Sequence, residues 1–290
     1  SGRKLYSFMP TRDVSLPVDF DKALAVGALT PADTVGVVDR IPINLNGKNY
    51  LVKDELAVLD VIVSNIWDRP VYFAVTCRPD KMFGLDDYMQ LEGLGLRIIP
   101  VKSQSEKGLY VYGNGRVSVD HVYDNVMNKF KWGNFDNVET FVDRSYGPSI
   151  QSHRVIIMRA ARQAIREGEK QKAIDLIQKY LDSFPNMNFT YDYNTWQMLK
   201  VMIDAGGYEN AKSHIKTLAD ETLDHLEFYQ SLDPRHLERE TGSFGQDFEL
   251  AMGTQFAIKR EVEKAKDEEF LKQIEEMFAG FDLTKMNVPD

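Results

Sequence analysis

The sequence predicts two units of different class: an α+β (or α/β) unit over residues 1–147, then an all-α unit of tetratricopeptide-like helical hairpins over residues 148–290. Three observations predict it. Short β-branched and aromatic runs bounded by Gly, Pro and Asn punctuate the first half. Amphipathic helical periodicity runs almost unbroken through the second. The second half also repeats itself at a distance of 38 residues.

In the first half, Asp19 stands where an N-cap belongs, ahead of a helix running to about Leu29 and stopped by Thr30-Pro31. Ile41, Ile43 and Leu45 then alternate toward Asn46-Gly47, with Tyr50 and Val52 on the far side. An Asn-Gly pair tolerates positive φ at both positions, so this stretch is expected to form a tight hairpin. Asp54 is expected to cap a helix that carries Leu56, Leu59, Val63 and Ile66 on one face. The run Val71–Thr76 follows Arg69-Pro70 and has the composition of a buried central strand. A further strand is expected at Leu96–Val101, and a second hairpin over Tyr110–Val119, turning at Gly113-Asn114-Gly115.

In the second half, Ile165-Arg166-Glu167-Gly168 through Ala173 and Ile177 aligns with Ile203-Asp204-Ala205-Gly206 through Ala211 and Ile215. Ala161, Ala173 and Pro185 have the spacing of a tetratricopeptide unit: small residues where two helices approach, and Pro where the second ends. The second copy has Leu199 and Met202 at the helix contact and no terminal Pro. Helices over roughly 208–232, 246–265 and 267–280 are expected to cover the exposed end of the stack.

Composition narrows the function classes. A chain of 290 residues with 43% hydrophobic and 27% charged residues is a folded protein with ample core. The single Cys77 excludes an intrachain disulfide and cysteine-rich zinc modules. A net charge of -9 argues against an extended phosphate-binding surface, and hence against nucleic acid as a partner. Acidic excess is concentrated in the second half, with 18 basic and 25 acidic residues in 151–290 against 17 and 19 in 1–150. No run approaches the roughly 18 apolar residues that a membrane span needs. The opening Ser1-Gly2, without Met, leads to the expectation that this is an excised piece of a longer protein.

Several groups carry possible chemistry, each with a plain structural alternative. Asp19-Phe20-Asp21 has the Asp-x-Asp form that can hold a hard cation, and equally the form of an N-cap with a first-turn acid. Asp86, Asp87, Tyr88 and Glu92 lie among Gly84, Gly93 and Gly95 and are the candidate binding residues. Their carboxylates would make an acid–base pair if a cleft brought them together, and would be solvated loop acids otherwise. His214, Glu221 and His225 fall along one helix but lack a closely spaced His pair, so surface histidines are the alternative to a metal site. Lys129, Lys131 and Trp132 suggest stacking on nucleic acid or a packed helix end. No P-loop, nucleophile elbow or His-Glu-x-x-His occurs. The residues assign no catalytic group, no metal site and no cofactor.

Several blocks carry a resemblance. They are Tyr50-Leu51-Val52-Lys53-Asp54-Glu55-Leu56-Ala57-Val58-Leu59-Asp60, Trp67-Asp68-Arg69-Pro70-Val71-Tyr72-Phe73-Ala74-Val75-Thr76, the stretch from Gly84 to Gly93, Arg97–Lys102, and Tyr123–Asn134. In this order they resemble the C-terminal region of a membrane-protein family known as domain of unknown function 2723, also classed as glycosyltransferase family 117 and common in Bacteroidetes. Tyr191-Asp192-Tyr193 and Tyr229–Pro234 fit its helical tail.

In such proteins many transmembrane helices precede this region, and the catalytic carboxylates lie on extracytoplasmic loops near the N-terminus. The resemblance therefore carries no catalytic residue onto this sequence. It implies a role: the soluble extracytoplasmic appendage, on the periplasmic side, of an inner-membrane protein resembling lipid-linked-sugar glycosyltransferases. The appendage is expected to be non-catalytic, to associate with its own transmembrane domain, and to bind or position a protein acceptor or partner. Two alternatives stay open. The α/β half contributes carboxylates directly to the active site, or the whole is a structural assembly domain.

Overall fold

The computed structural model describes residues 11–45, 47–232 and 244–281. The chain divides into two compact units, one of Ser1–Lys129 with Pro148–Ala160, the other of Phe130–Gly147 with Ala161–Asp290. This division differs from the single cut expected at 147/148.

The first unit is α+β. Strands β1 (Val14–Pro17) and β2 (Arg40–Ile43) form an antiparallel ribbon, with Val14 opposite Ile43 and Pro17 opposite Arg40. Between them α1 (Phe20–Ala25) starts at Asp19, whose carboxylate accepts the Lys22 N–H at 3.1 Å. The cap is where the sequence places it, but the helix ends before Gly27, at φ +71°, short of Leu29.

The hairpin expected across Asn46-Gly47 is not formed as expected. Asn46 lies outside the described residues, and no strand includes Tyr50 or Val52. Ile41, Ile43 and Leu45 are buried as their alternation requires, yet β2 pairs backward with β1. Alternation specifies a half-buried strand and leaves its partner open.

Helix α2 (Lys53–Asn65) begins one residue before Asp54, so Asp54 is a first-turn acid and not the cap. The start is held by Glu55, whose carboxylate accepts the Val52 N–H at 3.1 Å. Ile62 and Ile66 are buried, whereas Leu56 and Val63 are exposed. The predicted apolar face is therefore rotated from the core-facing one.

A four-stranded sheet runs in the order β3 (Tyr72–Ala74), β5 (Gly95–Ile98), β4 (Met89–Leu91), β6 (Arg116–Val117). The first two pairings are antiparallel and the last is parallel. β3 is thus an edge strand and not the central one its composition suggested. Tyr72 and Ala74 are exposed and only Phe73 faces the core.

The predicted hairpin over 110–119 is also replaced. Tyr110–Gly113 is a 3-10 turn, and the chain then enters β6 parallel to β4 and passes into helix α3 (Val119–Asp124). Two residues force this path. Gly115 has φ +58°, and a Cβ there would stand 1.8 Å from the Met89 carbonyl oxygen. Arg159, on helix α4 (Gly147–Arg166), donates to the carbonyls of Tyr112 at 2.7 Å, Gly113 at 3.0 Å, Asn114 at 3.0 Å and also Gly115. Those carbonyls turn to the guanidinium in place of a cross-strand partner. The same contacts tie residues 148–160 to the first unit.

The second unit is built from helices: the end of α4, then α5 (Lys170–Ser183), α6 (Tyr193–Asp204), α7 (Tyr208–Ser231), α8 (Phe244–Ala265) and α9 (Glu268–Phe278). The 38-residue echo is present in the backbone. Gly168 and Gly206 both take positive φ, at +83° and +98°, just past α4 and α6. The Glu169 N–H reaches Ala164 O at 2.8 Å, and the Gly207 N–H reaches Met202 O at 2.9 Å, the same closing bond in each copy. Ala161, Ala173, Leu199, Met202 and Ala211 are fully buried, as the small and apolar contact positions require.

Residues 130–147 belong to this unit because of what they touch. Trp132 packs edge-on to Phe184 at 5.7 Å, and Phe135 packs edge-on to Phe189 at 5.0 Å. The Asn188 amide donates to Phe135 O at 2.6 Å and Val138 O at 2.8 Å, and accepts the Thr140 N–H at 2.7 Å.

Candidate functional site

The carboxylates singled out in the first unit are drawn to different partners. Asp86 and Asp87 open a 3-10 turn with Tyr88. Asp86 accepts from Asn114 Nδ2 at 2.9 Å, while Asp87 accepts from Ser105 Oγ at 2.9 Å. Ser105 Oγ in turn accepts the Gly115 N–H at 3.1 Å. Both acids thus hold the 105–115 segment against the sheet. Tyr88 is buried.

Glu92 joins a separate network, laid out by strand register. Tyr72, Arg97, Gln90 and Arg116 are direct cross-strand partners, one from each strand. They form a polar rank across the sheet beside an apolar rank of Phe73, Leu96, Leu91 and Val117. Glu92, only 7% exposed, accepts from Tyr72 Oη at 2.5 Å and Gln90 Nε2 at 2.6 Å, and lies 3.5 Å from Arg97 Nη1. Arg97 also donates to the Val26 carbonyl. Arg116 donates from Nε to Gln90 Oε1 at 2.7 Å and forks onto Asp33, which accepts the Thr30 N–H at 2.8 Å as well.

Burial, reinforced by the hydrogen bond to Glu92, pushes the Tyr72 hydroxyl up to about 12. Burial alone would raise Asp33, but Arg116 and Thr30 outweigh it and hold the carboxyl below its ordinary range. Buried charges need this degree of pairing. The network fastens the segment carrying Val26, Thr30 and Asp33 to the sheet.

The other sequence candidates separate in the same way. Asp19 is an N-cap, with Asp21 in the first turn behind it. His214 meets Tyr191 Oη at 2.9 Å and Gln178 Nε2 at 3.3 Å, and burial holds its pKa below the usual imidazole value. Glu221 accepts from Asn186 Nδ2 at 2.6 Å. Among the described residues no group of three or more His, Cys, Asp or Glu is placed to hold a metal ion.

His225 lines a feature that sequence reasoning did not find. A cavity of about 400 Å³ opens in the second unit, where the start of α6 meets α7 and α8. Tyr191, Asp192, Tyr193, His225, Tyr229 and Asp247 supply its aromatic and polar lining, with Thr222 and Thr254 between them. The volume falls in the range of small-ligand sites.

Each group is set by the local fold. Asp192 caps α6, accepting the Thr195 N–H at 2.9 Å and Asn194 Nδ2 at 2.9 Å. Tyr191 is fixed by His214 at its hydroxyl and by Asn186 Oδ1, which accepts its N–H at 2.7 Å. Thr222 and Thr254 donate their hydroxyls back to Leu218 O and Leu250 O, within their own helices. Tyr229 packs edge-on to Phe248 at 5.7 Å; burial, then the charge of Asp247, raises its pKa. The sequence signal was the aromatic–acidic triplet Tyr191-Asp192-Tyr193, which has no meaning until α7 and α8 are packed beside it.

Compared with known proteins, residues 2–121 match the family model described as TMEM260-associated domain 2, a domain of a membrane-protein family. That match lies within the α+β part and covers less than half of the chain. No curated protein and no solved structure matches the chain. No helix among the described residues is long and apolar enough to cross a membrane.

Proposed function

We propose that this chain is a non-catalytic, extracytoplasmic appendage of a multi-span membrane protein resembling lipid-linked-sugar glycosyltransferases. In this reading its tetratricopeptide-like helical unit binds or positions a protein acceptor or partner, on the periplasmic side of an inner membrane. The match to a TMEM260-associated domain supports the membrane-protein setting. The observation that carries the binding role is the division of polar groups. Asp33, Asp86, Asp87 and Glu92 are engaged in holding the α+β unit together, whereas a cavity with aromatic and polar walls stands open in the helical unit. A site on stacked helices next to a membrane enzyme raises the local concentration of what it holds.

The test uses the full-length membrane protein with a protein acceptor. Asp247→Asn combined with Tyr193→Ala is expected to raise the half-saturating acceptor concentration and leave kcat in place. A fall in kcat at unchanged KM would contradict the reading.

A further inference from the structure

We propose that the α6–α7–α8 cavity receives an organic cation, a primary ammonium or a guanidinium, presented as a lysine or arginine side chain of the bound polypeptide. This rests on the binding role proposed above and specifies its chemistry. Three features of the wall select that charge and shape. Asp192 and Asp247 place two carboxylates at one cavity, and no lysine or arginine is among the described residues that line it. Tyr191, Tyr193 and Tyr229 bring three aromatic rings to the same space, and ring quadrupoles attract ammonium and guanidinium groups. Thr222, Thr254 and Asn194 stand beside His225 in the rest of the polar wall, and the two hydroxyls are preorganised. Thr222 and Thr254 have already donated their hydroxyl protons to their own helices, leaving oxygen lone pairs for a donor.

The acidic character is local and does not merely reflect the acidity of the helical half. A neighbouring groove on α6 and α8 is lined by Trp196, Lys200, Phe256, Arg260 and Lys264, with Glu261. The two helices thus present an acid-rich cavity on one face and a cation-rich groove on the next. An anionic ligand is repelled by the first, and a neutral polyol gains nothing from its charge.

The experiment is a two-dimensional NMR titration of the 290-residue chain with Nα-acetyl-lysine amide, Nα-acetyl-arginine amide, tetramethylammonium, the neutral isostere Nα-acetyl-norleucine amide, and glucose. Cationic probes are expected to shift the resonances of Tyr193, His225 and Asp247 saturably and to bind at least about tenfold more tightly than norleucine amide or glucose. Asp247→Asn and Tyr193→Ala each weaken the cations about tenfold, and Arg260→Gln in the neighbouring groove does not. Tighter binding of the lysine and arginine amides than of tetramethylammonium supports a polypeptide source; the reverse order points to a free amine and overturns that half of the proposal. Equal binding of norleucine amide or glucose, or cation shifts confined to other residues, overturns the site. The two readings fail separately. A chain that binds none of the cationic probes, while Asp247→Asn with Tyr193→Ala still raises the acceptor KM of the full-length protein, sinks the cation site and leaves docking intact. Cation binding with acceptor KM unmoved in the full-length variant sinks docking and leaves the site.

Discussion

The Tyr72 hydroxyl donates to Glu92 Oε2 across 2.5 Å, and through that bond edge strand β3 is tied to the turn joining β4 and β5. Glu92 at the same time faces Arg97 and accepts from Gln90. The pair is therefore one end of a rank that runs through Gln90 and Arg116 to Asp33. Its two ends differ in what their loss leaves behind. Glu92→Ala leaves the buried Arg97 without its carboxylate and is expected to cost about 3 kcal/mol. Tyr72→Phe removes one hydrogen bond at a half-exposed position and is expected to cost about 1 kcal/mol. Urea unfolding followed by circular dichroism measures both; the opposite order would mean that the network is not anchored on the carboxylate.

Gly115 and Gly168 separate close approach from backbone strain. Both have positive φ, but only at Gly115 would a Cβ meet backbone, the Met89 carbonyl oxygen at 1.8 Å. Gly168→Ala is expected to cost about 1–2 kcal/mol, the left-handed penalty alone. Gly115→Ala must also push β6 from β4 and is expected to cost more than about 3 kcal/mol. Thermal unfolding of the two variants checks the order.

Arg159→Lys tests the carbonyl cluster at residues 112–115. A single ammonium cannot reproduce a planar fork that serves four carbonyls. A loss of about 2–4 kcal/mol is expected, since buried carbonyls are left without donors. Hydrogen exchange should quicken first in β6, whose path those carbonyls define.

Glu55 gives the acid limb of stability a named contributor. Lys48 at 2.7 Å, the Val52 N–H and Lys81 at 3.1 Å hold its carboxyl down to about 2, against 4.5 for the free group. The folded chain binds this proton less readily than the unfolded chain. The contribution is therefore complete above about pH 4.5 and is lost as pH falls toward 2. Glu55→Gln should flatten stability between those values in a pH series of urea melts. An unchanged slope would place the acid sensitivity elsewhere.

What was legible in the sequence was what neighbouring residues decide. Asp19 caps α1 because a cap needs only the next three residues, and the 38-residue echo reappears as the closing turns at Gly168 and Gly206. Strand partners were not legible. The alternation at Ile41 and Ile43 is served equally by pairing forward across Asn46-Gly47 or backward with Val14–Pro17, and β3 has the composition of a central strand although it lies at an edge. Of the candidate site, Glu92 was singled out, but its partners Tyr72, Gln90 and Arg97 meet only through the register of three strands. The helical cavity is the least visible, because residues from 191 to 254 converge on it from the start of α6, from α7 and from α8; of these only His225 is a candidate for chemistry in the sequence, while Tyr191-Asp192-Tyr193 and Tyr229 enter through a resemblance alone.

The central claim is that the α+β unit's carboxylates hold structure and do not take part in bond-making. Asp86→Asn with Asp87→Asn removes both charges and keeps an oxygen acceptor for Asn114 and Ser105. The turnover number of the full-length membrane protein carrying this double substitution is the most direct test. A value within about threefold of the unsubstituted protein is the expected result; a loss of about a hundredfold or more, with the fold intact, would place these residues in the chemistry.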